Sequence, residues 1–116
     1  MSEHKPYTLE DFIHFIDFHN SNLIKLREDQ SEQLQAYARM TKLVEESGEL
    51  ANAIFHYYGR QRKTKNLDDP KLAIEGEIAD VFIVLSVIAR HFDLDIPSLL
   101  EKKAKAIERR WHDQEF

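Results

Sequence analysis

Apolar residues recur at helical spacing along almost the whole chain. From Thr8 to Leu26, Phe12, Phe15, Ile16, Leu23 and Leu26 form one stripe, and Phe18 and Ile24 widen it. Thr8 is the predicted N-cap, with Asp11 in the capping-box position, and Asn20-Ser21-Asn22 is a soft spot where the helix could bend. A second helix is predicted from Ser31 to Tyr58, with Gly59 as its C-cap. Its apolar positions are Leu34, Tyr37, Ala38, Leu43, Leu50, Ala53, Ile54 and Tyr57. Residues 60–70 are polar, basic at first and ending in Asn66-Leu67-Asp68-Asp69-Pro70, and read as a loop. A third helix is expected from about Lys71 to His91. Its segment from Val81 to Ala89 is apolar on nearly every side, which predicts a helix buried all round. The β-branched run also permits a strand, but its flanks carry helix formers and no turn residues. Asp95 caps a fourth helix with Pro97 in its first turn, ending near Trp111. The pattern predicts an all-α bundle of four helices in one domain over residues 1–116, with 1–7 as a flexible N-terminus.

Composition narrows the function. The 116 residues carry 16 Lys+Arg against 21 Asp+Glu, a net charge of −5, where a generic nucleic-acid binder would be basic. Cysteine is absent, which removes disulfide scaffolds, thiolate zinc sites and cysteine nucleophiles. The N-terminal residues have no apolar segment of the kind a secretory leader needs, and no run approaches the ~20 apolar residues of a membrane span. The expectation is a soluble cytoplasmic domain that binds neither nucleic acid nor membrane. A single small bundle buries limited surface, so its aromatic-rich first helix is expected to pack against another copy, as a homodimer or homotetramer.

The central helices carry a near-repeat, Gly48-Glu49-Leu50-Ala51-Asn52 and Gly76-Glu77-Ile78-Ala79-Asp80. A helix turns about 100° per residue, so residues three apart share a face. Glu46 pairs with Glu49 in this way, and Glu77 with Asp80. The neighbours of Glu77 on its own face, Ala73, Val81 and Val84, are apolar, so these acids need a reason to be there. Gly48 and Gly76, with Ala51 and Ala79, are expected to let the two backbones approach closely. In an antiparallel pair the four carboxylates converge, repel one another and resist ionisation. A divalent cation resolves that conflict, and oxygen donors without His or Cys favour Mg²⁺ or Mn²⁺. The plain alternative is a set of solvated helix-face acids. Two such spacings beside glycines, the second opening an apolar run, argue against it.

Glu45-Glu46-Ser47-Gly48-Glu49, followed by Glu77-Ile78-Ala79-Asp80, resembles the EExxE…ExxD signature of MazG-like nucleotide pyrophosphohydrolases. The likeness runs from about Ala38 to Trp111 and takes in His56-Tyr57-Tyr58-Gly59 and Asp93-Leu94-Asp95-Ile96. It implies an oligomeric MazG-like four-helix bundle that hydrolyses a nucleoside triphosphate to monophosphate and pyrophosphate. Nucleotide-pool housecleaning would be its setting. Mg²⁺ would be held by Glu46, Glu49, Glu77 and Asp80, with Glu45 supporting them or acting as base. Many members carry an Asn among the basic residues of the last helix, where this chain reads Lys102-Lys103-Ala104-Lys105-Ala106-Ile107-Glu108-Arg109-Arg110.

Glu45 and Glu49 are the candidates for handling the attacking water. The outer phosphates need cations, for which Lys102, Lys103, Lys105 and Arg109 are candidates, as are Arg60, Arg62 and Lys63 in the loop. Asn52 and His56 follow Glu49 on its face and could reach a base or sugar, while Lys42 could touch substrate or pair with Glu45 or Glu46. Phe12, Phe15 and Trp111 could stack on a base. The competing readings are a non-catalytic module that binds nucleotides or partners, phosphoribosyl-ATP pyrophosphohydrolase, and a dCTPase or dUTPase. A di-iron bundle is disfavoured because no His follows a Glu at the Glu-x-x-His spacing.

Overall fold

The computed structural model describes residues 4–59 and 69–113. It contains four helices, α1 (Leu9–Leu26), α2 (Glu32–Tyr57), α3 (Pro70–His91) and α4 (Ile96–Asp113), and no strand among the described residues. The run from Val81 to Ala89 is helical, as its flanks require. Loop positions 60–68, with Arg60, Arg62 and Lys63, lie outside the described residues.

Local chemistry sets the helix ends. Thr8 and Asp11 form a full capping box, Asp11 N–H donating to Thr8 Oγ1 at 3.1 Å and Thr8 N–H to Asp11 Oδ2 at 3.0 Å. These bonds from Thr8 hold the Asp11 carboxyl below its ordinary pKa. Ser31 caps α2 through Leu34 N–H at 3.2 Å, and Gly59 follows the helix at φ +71°, a left-handed conformation suited to glycine. α1 is assigned as one helix through Asn20-Ser21-Asn22. Asp69, read above as loop, caps α3, and Pro70 occupies its first turn, where the missing N–H does no harm.

α3 is the hub, packing most extensively on α2, then on α1, and only lightly on α4. α2 and α3 run antiparallel: Arg39 and Val87 line one cavity, whereas Ile54 and Tyr57 share another with Ile74 and Ile78. Ile16 and Val87 are fully buried between helices. Gln35 pins the α1–α2 turn by donating to the carbonyls of Arg27 and Gln30, each at 3.2 Å. Arg90, near the C-terminus of α3, ties that helix to α1 and to the turn that follows α3, donating to Asp17 Oδ1 at 2.8 Å and to the Leu94 carbonyl at 3.1 Å.

Two expectations are corrected. α3 is not buried all round: Phe82 is 58% exposed and Leu85 48%. α1 and α2 pack on α3 and α4 touches it only lightly, so the rest of the apolar surface stays open. The glycines do not mediate a close approach either, because a Cβ added at Gly48 or Gly76 would meet nothing within 4 Å. Gly48 sits about 200° around α2 from Glu46, on the far face. Both glycines therefore weaken their helices without a packing return in the single chain. Gly48→Ala and Gly76→Ala are each expected to raise stability by about 1 kcal/mol, read as a higher denaturation midpoint. A lower midpoint would mean that another copy approaches these backbones.

Candidate metal centre and adjoining cavity

Carboxylate oxygens of Glu46, Glu77 and Asp80 lie within 4.8 Å of one another. Glu46 comes from the inward face of α2 and is only 6% exposed. Glu77 and Asp80 sit one turn apart on the facing side of α3, as their spacing requires. Glu46 Oε2 and Glu77 Oε2 are buried without a hydrogen-bond partner. Burial pushes the Glu77 carboxyl above its ordinary pKa, and the charges of Glu49, Asp80 and Glu46, with a hydrogen bond that the protonated Glu77 donates to the Glu49 carboxylate, push it further.

Glu49 thus stands beside Glu77, but it is exposed and outside the group of three. It lies about 60° around the helix from Glu46, enough to carry it to the rim. Lys42 lies 3.1 Å from Glu46 Oε1 and 3.7 Å from Glu45 Oε2. The bond to Glu46 holds its ammonium above the usual range. This cation offsets part of the negative charge from across the cleft, where Glu77's own face has none. Two orphaned buried oxygens in a set of hard carboxylate donors fit a divalent cation such as Mg²⁺.

Two of the three acids, Glu46 and Asp80, open onto a cavity of about 750 Å³ between α1, α2 and α3. Glu45, Glu46, Asp80 and Lys42 line it together with Phe15, His19, Arg27 and Arg39. The Phe15 and His19 rings stack at 5.5 Å with planes 9° apart. Phe15 was among the aromatics the sequence offered for stacking. Phe12 instead lines an apolar cleft elsewhere, and Trp111 lies on α4.

Several candidates fall outside this cavity. Asn52 is about 120° around α2 from Glu46, and neither it nor His56 lines the wall. Lys102, Lys103, Lys105 and Arg109 belong to α4, which touches the body lightly, and Lys105 pairs with Glu101 at 3.5 Å. One copy does not bring these cations to the acids. Arg39, in contrast, was not among the sequence candidates, yet it lines the cavity and is 6% exposed. A signal existed: Arg39 precedes Glu46 by seven residues, which returns it to within about 20° of the same line along the helix.

The family model of the MazG nucleotide pyrophosphohydrolase domain matches residues 35–113. The uncharacterized protein YpjD of Bacillus subtilis (strain 168) is 41% identical over 59 residues, 51% of this chain and 51% of that protein. The chain therefore spans about half the length of that curated relative. No described helix is long and apolar enough to cross a membrane. The family match takes in α2, α3 and α4 and every acid of the cluster, and the chain belongs to the MazG nucleotide pyrophosphohydrolase family.

Proposed function

We propose that the protein is a Mg²⁺-dependent pyrophosphohydrolase that converts a nucleoside triphosphate, ribo or deoxy, to its monophosphate and pyrophosphate among cytoplasmic nucleotides. The observation that carries this reading is the cluster of Glu46, Glu77 and Asp80 at the edge of a cavity of nucleotide size, within a MazG domain. Glu46, Glu77 and Asp80 would hold the ion, with Glu49 at its rim, and Mn²⁺ could replace Mg²⁺. When bound, the ion supplies charge neutralisation and polarisation of the triphosphate.

The chain's own residues do the rest. Glu49 is an exposed carboxylate next to Glu77, placed to orient the attacking water and take its proton. Glu45, tied to Lys42, is the second candidate. The water oxygen bonds to phosphorus, the bridging P–O bond between the α and β phosphates breaks, and pyrophosphate leaves. Lys42, kept protonated beside Glu46, can turn from that carboxylate toward a phosphate oxygen.

A second copy completes the surface in this reading. The radius of gyration is 17.9 Å, against about 13 Å for a compact chain of this length. An apolar cleft of about 720 Å³ lies open between the start of α1, α3 and α4, lined by Phe12, Phe82, Leu85, Leu99 and Leu100 among others. Such a surface suits a homodimer or homotetramer, and the partner's α4 could then bring Lys102, Lys103, Lys105 or Arg109 toward the phosphates. Light scattering is expected to give two or four times the 13.7 kDa chain mass. Phe82→Glu is expected to yield monomers. A wild type that runs as a folded monomer contradicts this assembly.

The functional test is pyrophosphate release from a panel of canonical and modified nucleoside triphosphates, with Mg²⁺, Mn²⁺ and EDTA arms. Metal-dependent release supports the proposal. Nucleotide binding without turnover on any substrate would instead favour a non-catalytic module, and turnover confined to phosphoribosyl-ATP would name a different member of the enzyme class.

A further inference from the structure

Arg39 is a buried cation without a counter-charge. Its Nε and Nη2 are shielded from solvent and have no hydrogen-bond partner. The charge that bears on it is Arg27, of the same sign, and burial together with Arg27 lowers its pKa. Buried polar groups are ordinarily satisfied, so an orphaned guanidinium facing a cavity calls for a ligand. The two orphaned nitrogens share one edge of the guanidinium plane, and that edge is a fork of parallel N–H donors matched to two adjacent acceptors.

The position of the fork says which acceptors it meets. Arg39 lies two turns, about 10 Å, along α2 from Glu46, in the same cavity as the stacked Phe15–His19 pair. Phosphates gathered at the acids leave the sugar and base to run along the cavity toward Arg39, beside an aromatic surface. An arginine has donors only. Guanine offers O6 and N7 as adjacent acceptors, and cytosine offers O2 and N3. Adenine sets a donor beside each such acceptor, and the uracil and thymine carbonyls flank an N–H.

Resting on the nucleotide reading above, we infer that Arg39 is a specificity residue, whose Nε/Nη2 edge grips a base with two adjacent acceptors and so selects guanine and cytosine nucleotides. A phosphate would satisfy the same fork, but its grip would be blind to the base.

The experiment measures kcat and KM for GTP, CTP, ATP and UTP, and calorimetric affinity for the four nucleoside monophosphates with Mg²⁺, in wild type, Arg39→Lys and Arg39→Met. Arg39→Lys keeps the charge and loses the fork, whereas Arg39→Met removes both, and thermal melts report whether each variant folds. The wild type is expected to favour guanine and cytosine by about ten- to a hundredfold. Both variants should lose that preference, and the loss should fall on KM and affinity rather than on kcat. An adenine or uracil preference in the wild type overturns the inference, as does an equal loss on all four bases in the variants, the mark of a phosphate or structural contact. The binding arm separates the two proposals. Selective binding of guanine and cytosine monophosphates without turnover keeps the role of Arg39 and sinks the hydrolase. Turnover without base preference does the reverse.

Discussion

Glu46→Gln and Asp80→Asn are expected to lower metal-dependent turnover by about 10²–10³-fold or more while leaving the apo protein as stable as the wild type, or more so. The two substitutions keep size and shape and remove one charge from a group of three whose oxygens lie within 4.8 Å. In the apo state those charges oppose one another, and Glu46 Oε2 has no hydrogen-bond partner to lose. Loss of Glu46 also frees Lys42 from its 3.1 Å contact, which tempers the gain for that variant but not for Asp80→Asn. With Mg²⁺ present the order reverses, because only an intact cluster gains stability from the ion. Activity assays beside melts with and without Mg²⁺ check both halves. Variants markedly less stable than the wild type without metal would show that the acids serve as structural hydrogen-bonding groups.

Glu77→Gln is expected to give a stability difference that depends on pH. Burial and the neighbouring carboxylates raise the pKa of Glu77 in the fold above its unfolded value. Such a group favours the folded state below its unfolded pKa, where it is neutral in both states, and that advantage is lost as pH rises through the raised folded value. At neutral pH the apo variant should therefore melt above the wild type. The gap should close on acidification toward the ordinary carboxylate range. Mg²⁺ needs the ionised carboxylate, so its stabilisation of the wild type should weaken over the same window. Parallel melts across pH, each with and without Mg²⁺, read both effects. A gap that is constant with pH would show that Glu77 carries no unfavourable charge.

The helix ends and the acid cluster were legible in the sequence because both depend on local geometry. Thr8 and Ser31 act as N-caps through bonds spanning a few residues, and the C-cap of α2 is Tyr58, one residue before the glycine expected there. The one-turn spacing of Glu77 and Asp80 places them together once α2 and α3 pair. The same arithmetic carried Glu49 only to the rim, since a 60° offset matters at the edge of a cleft.

What was not legible depends on neighbours. The apolar run in α3 reads as buried all round, yet Phe82 and Leu85 face outward, because hydrophobicity tells that a surface will be covered and not which chain covers it. Arg39 was passed over because a charged side chain on a helix is ordinarily solvated, and only the arrangement of α1, α2 and α3 around one cavity takes it out of solvent. The basic residues of α4 looked available to substrate, but a single copy keeps that helix away from the cavity.

In the proposed reaction the Glu46–Glu77–Asp80 centre, with a divalent ion, splits a triphosphate between its α and β phosphates. A phosphorus NMR time course with GTP or CTP and Mg²⁺, with EDTA added midway, tests it most directly. The triphosphate signals are expected to give way to equal amounts of nucleoside monophosphate and pyrophosphate, and conversion to stop when EDTA is added. Formation of nucleoside diphosphate and inorganic phosphate, or conversion that continues unchanged in EDTA, would contradict it.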